Sequence, residues 1–254
     1  MTPDQIDNVL GVGLIVIAAV ALFVLAVPLR GKVRRVFRVI PGIVRLRRAI
    51  GLTVENGKRL HVSLGQSSLT GASAAAGMAA LSTLERIANL SMISDRPPIA
   101  TSGEGSLSIL SQDVLAAAYR DGNAPEQYDP NRGRLGGVTP LSYAVGTMPV
   151  MRDEQVSANI LVGSFGPEVG LMTDAAHQQQ AFLVAASDTL TAQAVLYAAA
   201  EEPLIGEELF AVPAYLQAGP FHLASLQVQD ILRWLVIALI IGGIILKLMG
   251  INLL

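Results

Sequence analysis

The chain has 254 residues, of which 52% are apolar and 15% charged, with a mean hydropathy of +0.50. Soluble domains carry about 25% charged residues, so the composition points to a membrane protein with a folded domain, and disorder, coiled coil and collagen are excluded as the main state. Zero Cys excludes a disulfide framework, a thiolate metal site and a Cys nucleophile, and three His leave little room for a His-rich centre. No metal and no cofactor is expected.

Residues 1–8 form a short leader with Asp4 and Asp7 and no base, expected outside the membrane. Residues 9–29 follow without a charge, and 21 residues at 1.5 Å each make about 30 Å of helix, the thickness of a hydrocarbon core. An acidic leader and so long an apolar run are unlike a cleaved signal peptide. The juxtamembrane segment 30–50 then carries eight bases and no acid. By the positive-inside rule this flank faces the cytoplasm and the N-terminus faces out.

Within that segment Val33, Val36, Phe37, Ile40 and Val44 recur at helical spacing, with Arg34, Arg35, Arg38 and Arg45 opposite. The pattern predicts a basic amphipathic helix in the headgroup layer, broken or bent at Pro41-Gly42. Lys32, Arg34, Arg35, Arg38 and Arg45 are its candidate contacts to anionic lipid headgroups or to the acidic domain that follows. A stop-transfer cluster with no further role is the plain alternative.

Residues 51–225 read as a cytoplasmic α/β domain. Residues 59–64 (RLHVSL) predict a strand and 71–90 a helix of small residues. Residues 98–102 predict a second strand and 106–120 a helix. The polar stretch 121–137 reads as a long loop, and 141–151 is ambiguous between strand and helix. Residues 157–164 (SANILVGS) and 181–187 (AFLVAAS) are buried strands, followed by helices at 167–179, 189–200 and 207–217. Near-continuous apolar strands, each followed by a helix, predict a mostly parallel sheet with flanking helices. Residues 226–254 hold a linker and a second span, 234–254, with Lys247 near its end, where the side chain reaches the interface. Residues 49–230 carry eight bases and 18 acids, a net charge of −10 that repels nucleic-acid phosphates. The expected architecture is thus an α/β domain inserted between two transmembrane helices.

Two surfaces stand out as sites. The small side chains of Ala72, Ala76, Gly77 and Ala80 permit close backbone approach, which predicts a subunit interface or tight packing inside the domain. The strand ends gather small polar residues: Gly65, Gln66, Ser67 and Ser68; Ser102, Gly103, Glu104 and Ser106; Gly163, Ser164 and Gly166; and Asp188. Ligands of open parallel sheets bind beyond the carboxyl strand ends, where helix N-termini attract anions. The same residues also serve as ordinary caps and turns. No Walker A loop, GxGxxG, GxSxG, HExxH or EF-hand pattern is present, so no catalytic residue is assigned. His61 reads as a packed strand residue. Asp174 and His177 are expected to form a surface pair, and Asp153-Glu154 and Glu201-Glu202 solvated corners.

The segments GQSSLTGASAAAGMAALSTLERIA (65–88), PPIATSGEGSLSILSQD (97–113) and NILVGSFGPEVGLM (159–172) resemble a bacterial family of two-pass membrane proteins known as a domain of unknown function. The resemblance covers about residues 50–250. It implies a bacterial inner-membrane location and brings no activity, cofactor or catalytic residue. Three functions remain open. The chain is a membrane-anchored assembly or scaffolding module, self-associating or bound in a membrane complex; or a ligand-sensing or transport accessory domain for a small anionic or polar ligand; or a membrane-tethered hydrolase.

Overall fold

The computed structural model describes residues 3–29, 38–92, 94 and 96–248. The chain divides into two compact units, the α/β domain over residues 37–218 and a unit formed by the two terminal segments. The domain therefore begins before residue 51 and ends before residue 225.

The terminal unit pairs helix α1 (Pro3–Leu29) with the last helix of the chain, and Leu25 of α1 packs against Leu223 and Ala224. In the domain, α2 (Pro41–Glu55) opens at the Pro-Gly that was expected to break a helix. Proline at the first helical position gives up an N–H that has no intrahelical partner anyway and presets φ. The chain continues as β1 (Arg59–Gly65), α3 (Ala74–Leu90), β2 (Ile99–Ser102) and α4 (Gly105–Asp121). Two 3-10 turns and the short β3 (Gly133–Leu135) occupy the predicted loop. The ambiguous segment is a helix, α5 (Pro140–Asp153), because Thr139 and Ser142 form a reciprocal capping box around Pro140. Then come β4 (Val156–Ser164), α6 (Val169–Gln178), β5 (Phe182–Ser187), α7 (Leu190–Ala199), β6 (Glu202–Leu204) and α8 (Glu208–Tyr215). The last helix, α9 (Pro220–Leu248), runs without interruption from the expected linker into the expected span. Among the described residues only Phe221–Leu248 is long and apolar enough to cross a membrane; the apolar run Gly11–Leu25 of α1 is shorter.

All six strands are parallel, in the order β3-β2-β1-β4-β5-β6, so the winding reverses between β1 and β4. This is the doubly wound order whose reversal point is the usual ligand crevice. One sheet face, with Leu60, Val62, Leu64, Ile160 and Val162, packs on Leu46 of α2, Leu84 of α3, Leu107 of α4 and Leu209 of α8. The other, with Leu161, Leu183 and Ala185, packs on Met151 of α5, Met172 of α6 and Leu196 of α7.

Two expectations are corrected here. The basic segment is part of the domain from α2 onward: Ile43, Leu46 and Ile50 face the core, and Val44, assigned to the apolar face, points outward. The residues 33, 36 and 37 of that pattern lie outside the described residues, as do Lys32, Arg34 and Arg35. The small-residue face of α3 is used inside the domain. Ala76, Gly77 and Ala80 are buried, and a Cβ on Gly77 would sit 3.0 Å from Ser67 and 3.5 Å from Leu107. Of the four residues singled out, Ala72, ahead of the helix, is exposed. The small side chains bring α3 down onto the β1 loop and α4.

Leu46 is fully buried. Leu46→Ala should cost about 2–5 kcal/mol, read as a lower thermal midpoint of the domain in mild detergent. A midpoint unchanged by this substitution would put α2 outside the core.

Candidate functional site

The predicted strand-end residues do gather along one edge of the sheet, but largely in contact with each other. At the reversal, Gly65 (φ +70) and Gly163 (φ +152) lie where side chains cannot follow. A Cβ on Gly65 would overlap the Ser164 carbonyl, and one on Gly163 the Leu64 carbonyl. These glycines therefore let β1 and β4 close on one another. The closure continues past the strands. The Gln66 N–H donates to the Ser164 carbonyl (2.8 Å), the Ser164 N–H to the Ser67 hydroxyl (3.1 Å), and the Gly103 N–H to the Gly65 carbonyl (2.8 Å). Ser102 accepts from the Gly136 N–H at 2.9 Å.

The helix ends at this edge are mostly filled by the chain's own side chains. Glu104 caps α4, accepting from the Leu107 N–H (3.0 Å) and the Ser106 hydroxyl. Those bonds, Ser106 first, hold its carboxyl below the usual range against a smaller opposing effect of burial. Glu168 folds over Gly166 and accepts its N–H at 2.9 Å. Thr189 caps α7, and Ser187 accepts from the Phe165 N–H. Asp188 is half-buried, with one carboxylate oxygen enclosed and without a hydrogen-bond partner. The start of α3 differs: it has no side-chain cap and no acid in its first turn, and Ser68 donates its N–H to the Ser73 hydroxyl at 3.0 Å.

Beneath this edge lies a buried polar row. Alternation along β1 puts Arg59, His61 and Ser63 on the α5 side, and the register sets His61 beside Asn159 of β4. With the Asn159 amide oxygen as acceptor, His61 Nδ1 donates across 2.7 Å, and Nε2 accepts from the Thr101 hydroxyl at 2.9 Å. Tyr143 of α5 covers the row, its hydroxyl 2.5 Å from Ser63 and donating to the Thr101 carbonyl at 3.1 Å. Burial holds His61 neutral, moving its pKa down from 6.5 to about 4, partly opposed by the Asn159 bond, with Arg134 lowering it further. Burial likewise pushes Tyr143 up against its bonds to Ser63 and Thr101.

Hydroxyl, imidazole and amide here have the order of a nucleophile, its base and an orienting group. Thr101 is 1% exposed and His61 and Asn159 not at all, so no substrate carbonyl reaches the hydroxyl. The row is a structural core element of this sheet. The Asn159 Nδ2 within it has no hydrogen-bond partner among the described residues.

Several charged residues have other partners than the sequence indicates. Glu154 is no solvated corner: it accepts from Arg59 (2.7 Å) and Arg134 (2.5 Å), with Arg132 at 3.7 Å. Glu202 is buried and pairs with Arg45 at 2.5 Å, and Arg38 pairs with Glu208 at 2.8 Å. Asp174 accepts from Gln178 rather than pairing with His177, which lies 3.8 Å from Glu201. Sequence reasoning missed Asn159 and Tyr143. A lone amide inside the apolar run SANILVGS was the available signal for the first.

A match over residues 4–254 to a family model described as a domain of unknown function, DUF6754, gives this architecture its relatives. The chain belongs to the DUF6754 family. No curated protein and no solved structure matches it. The family assignment spans both terminal helices and the domain, and it brings no site residues with it. Among the described residues no group of three or more His, Asp or Glu could hold a metal ion.

His61 is neutral when folded and titrates near 6.5 when unfolded, so its contribution to stability is complete above pH 6.5. It should be lost as the pH falls from 6.5 to about 4, roughly 3 kcal/mol in all at 1.36 kcal/mol per pH unit. Thermal midpoints across that range should fall more steeply for the wild type than for His61→Gln. Parallel profiles would contradict a buried neutral imidazole.

Proposed function

We propose that the chain is a membrane-anchored assembly module. In this reading α1 and α9 form a two-pass anchor in a bacterial inner membrane, with both termini outside and the α/β domain in the cytoplasm. Several observations support the anchor. Ile15 and Phe23 of α1 and Leu239 and Ile240 of α9 are more than half exposed, a surface suited to lipid rather than water. The domain's two chain passages also lie together, since the Tyr215 hydroxyl donates to the Arg38 carbonyl at 2.7 Å. Two paired helices can therefore take up both ends of the domain.

The assembly reading rests on exposed apolar side chains of α5 and α7, which lie on either side of α6, whose outer side carries Asp174, His177 and Gln178. Leu141 and Val145 lie one turn apart on α5, and Leu190, Ala194 and Tyr197 recur along α7 at helical spacing. Leu141 is 61% exposed, Leu190 82% and Tyr197 73%. α7 carries no ionisable side chain except Tyr197, and α5 has no formal charge before Arg152. The domain over residues 37–218 carries 12 bases and 17 acids, a net charge of −5, and uncharged patches let two copies meet without that repulsion. An uncharged apolar surface is also self-complementary, as a two-fold contact requires. Self-association thus uses these patches of α5 and α7 in place of the small-residue face of α3.

A small-anion site has one supporting observation, the uncapped start of α3. Inorganic phosphate should raise the domain's thermal midpoint if that site is used, and an unchanged midpoint would remove this second reading.

Light scattering on the full chain in mild detergent tests the assembly. The wild type should be a dimer or larger. Val145→Glu and Tyr197→Glu should each shift it toward monomer, with thermal midpoints nearly unchanged because exposed substitutions cost about 0.5 kcal/mol or less. A wild type that is monomeric over a wide concentration range, or oligomers indifferent to both substitutions, would refute it.

A further inference from the structure

We infer that the outward face of α2 docks on the surface of the bilayer, by contact with anionic phospholipid headgroups. The inference rests on the anchoring reading and gives the domain a second attachment to the membrane. The helix turns Ile43, Leu46, Ile50 and Thr53 into the core. Its other side presents Val44, Arg48 and Leu52, with Arg45 and Arg47 on the flanks. Val44 is 55% exposed and Leu52 47%, on a side where a helix facing only water would be polar. Apolar side chains interleaved with arginines are the pattern of a helix that lies in a headgroup layer.

The arginines are arranged to face outward. Arg45 is held by Glu202, whose carboxylate is buried, so the pair exposes its positive end. Arg47 donates from its guanidinium to the Tyr215 carbonyl, a neutral acceptor at the surface that leaves its charge uncompensated. Arg48 has no partner among the described residues. Beside it a groove of about 310 Å³ has Arg45 and Arg48 on its rim and Ala49, Leu52 and Phe182 among its lining, room for a headgroup with apolar atoms beneath it.

Charge selects the occupant. Between Asp7 and Glu55 the sequence holds eight bases and no acid, and α2 closes that run. The remainder of the domain is acidic and is repelled by an anionic surface, so α2 is the face such a surface attracts. Glu55, at the end of the helix, opposes this, as do Glu202 and Glu208, which are engaged by Arg45 and Arg38.

The absence of Cys makes a direct test simple. Leu52→Cys in the full chain carries an environment-sensitive fluorophore, and the protein is placed in nanodiscs whose lipids bear a headgroup nitroxide. In discs containing phosphatidylglycerol the label should be quenched about twofold or more, and a label at Gln178→Cys, on the opposite side of the sheet, should not be. High salt should relieve the quenching, because exposed charges are screened within a few ångströms at about 1 M. Arg48→Glu should relieve it at low salt. An unquenched label on chain that stays in the discs would overturn the docking while leaving the anchor intact. Equal quenching in discs of phosphatidylcholine alone would overturn its electrostatic basis. Chain that leaves discs of either composition would overturn the anchoring reading, and the docking with it.

Discussion

An all-parallel sheet cannot leave a face in water, because its connections run over both faces and its strands are apolar on both sides. In this chain β1 is buried along its whole length, as is most of β4, so two layers of helices are obligatory. The layer on the Leu60–Ile160 side recruits α2, taken from the segment next to the first apolar helix. That recruitment brings the basic run onto the acidic domain, where Glu202 and Glu208 receive Arg45 and Arg38. It also sets residue 38 beside Tyr215, so the chain enters and leaves the domain at one point. The opposite layer, α5 to α7, lacks this basic cover: α5 and α7 expose Leu141, Leu190 and Tyr197, and α6 between them exposes Asp174, His177 and Gln178.

The sheet was legible in the sequence because parallel strands read as unbroken apolar runs, and RLHVSL, SANILVGS and AFLVAAS each became a strand. The edge strands were not, since three residues such as Gly133–Leu135 or Glu202–Leu204 carry no periodicity and take their conformation from the strand beside them. α2 was misread for a different reason. Its apolar positions fit two helical faces, one through Val44 and one through Ile43, Leu46 and Ile50, and only packing against the sheet selects the second. The strand-end residues were found, but their composition does not separate a ligand crevice from a row of caps. Glu104 and Glu168 are the deciding side chains, because each places a carboxylate where an anion would bind.

The polar row under Tyr143 shows how a parallel sheet accommodates hydrogen-bonding groups in its centre. His61 and Asn159 lie on adjacent strands at the same register, so the imidazole finds an acceptor in the Asn159 amide oxygen. A buried imidazole kept neutral in this way has its pKa moved by its surroundings without any catalytic task. The shifts of His61 and Tyr143 report burial and that of Glu104 reports its cap bonds, so the functional reading rests on the surfaces rather than on titration.

The central claim is that the domain is held at a membrane by both of its ends. Single cysteines at Thr2, Glu126 and Leu254, probed with a membrane-impermeant maleimide, test it directly. In intact cells positions 2 and 254 should label, and position 126 only after the inner membrane is permeabilised. Labelling of 126 in intact cells, or the two termini on opposite sides, would contradict the account.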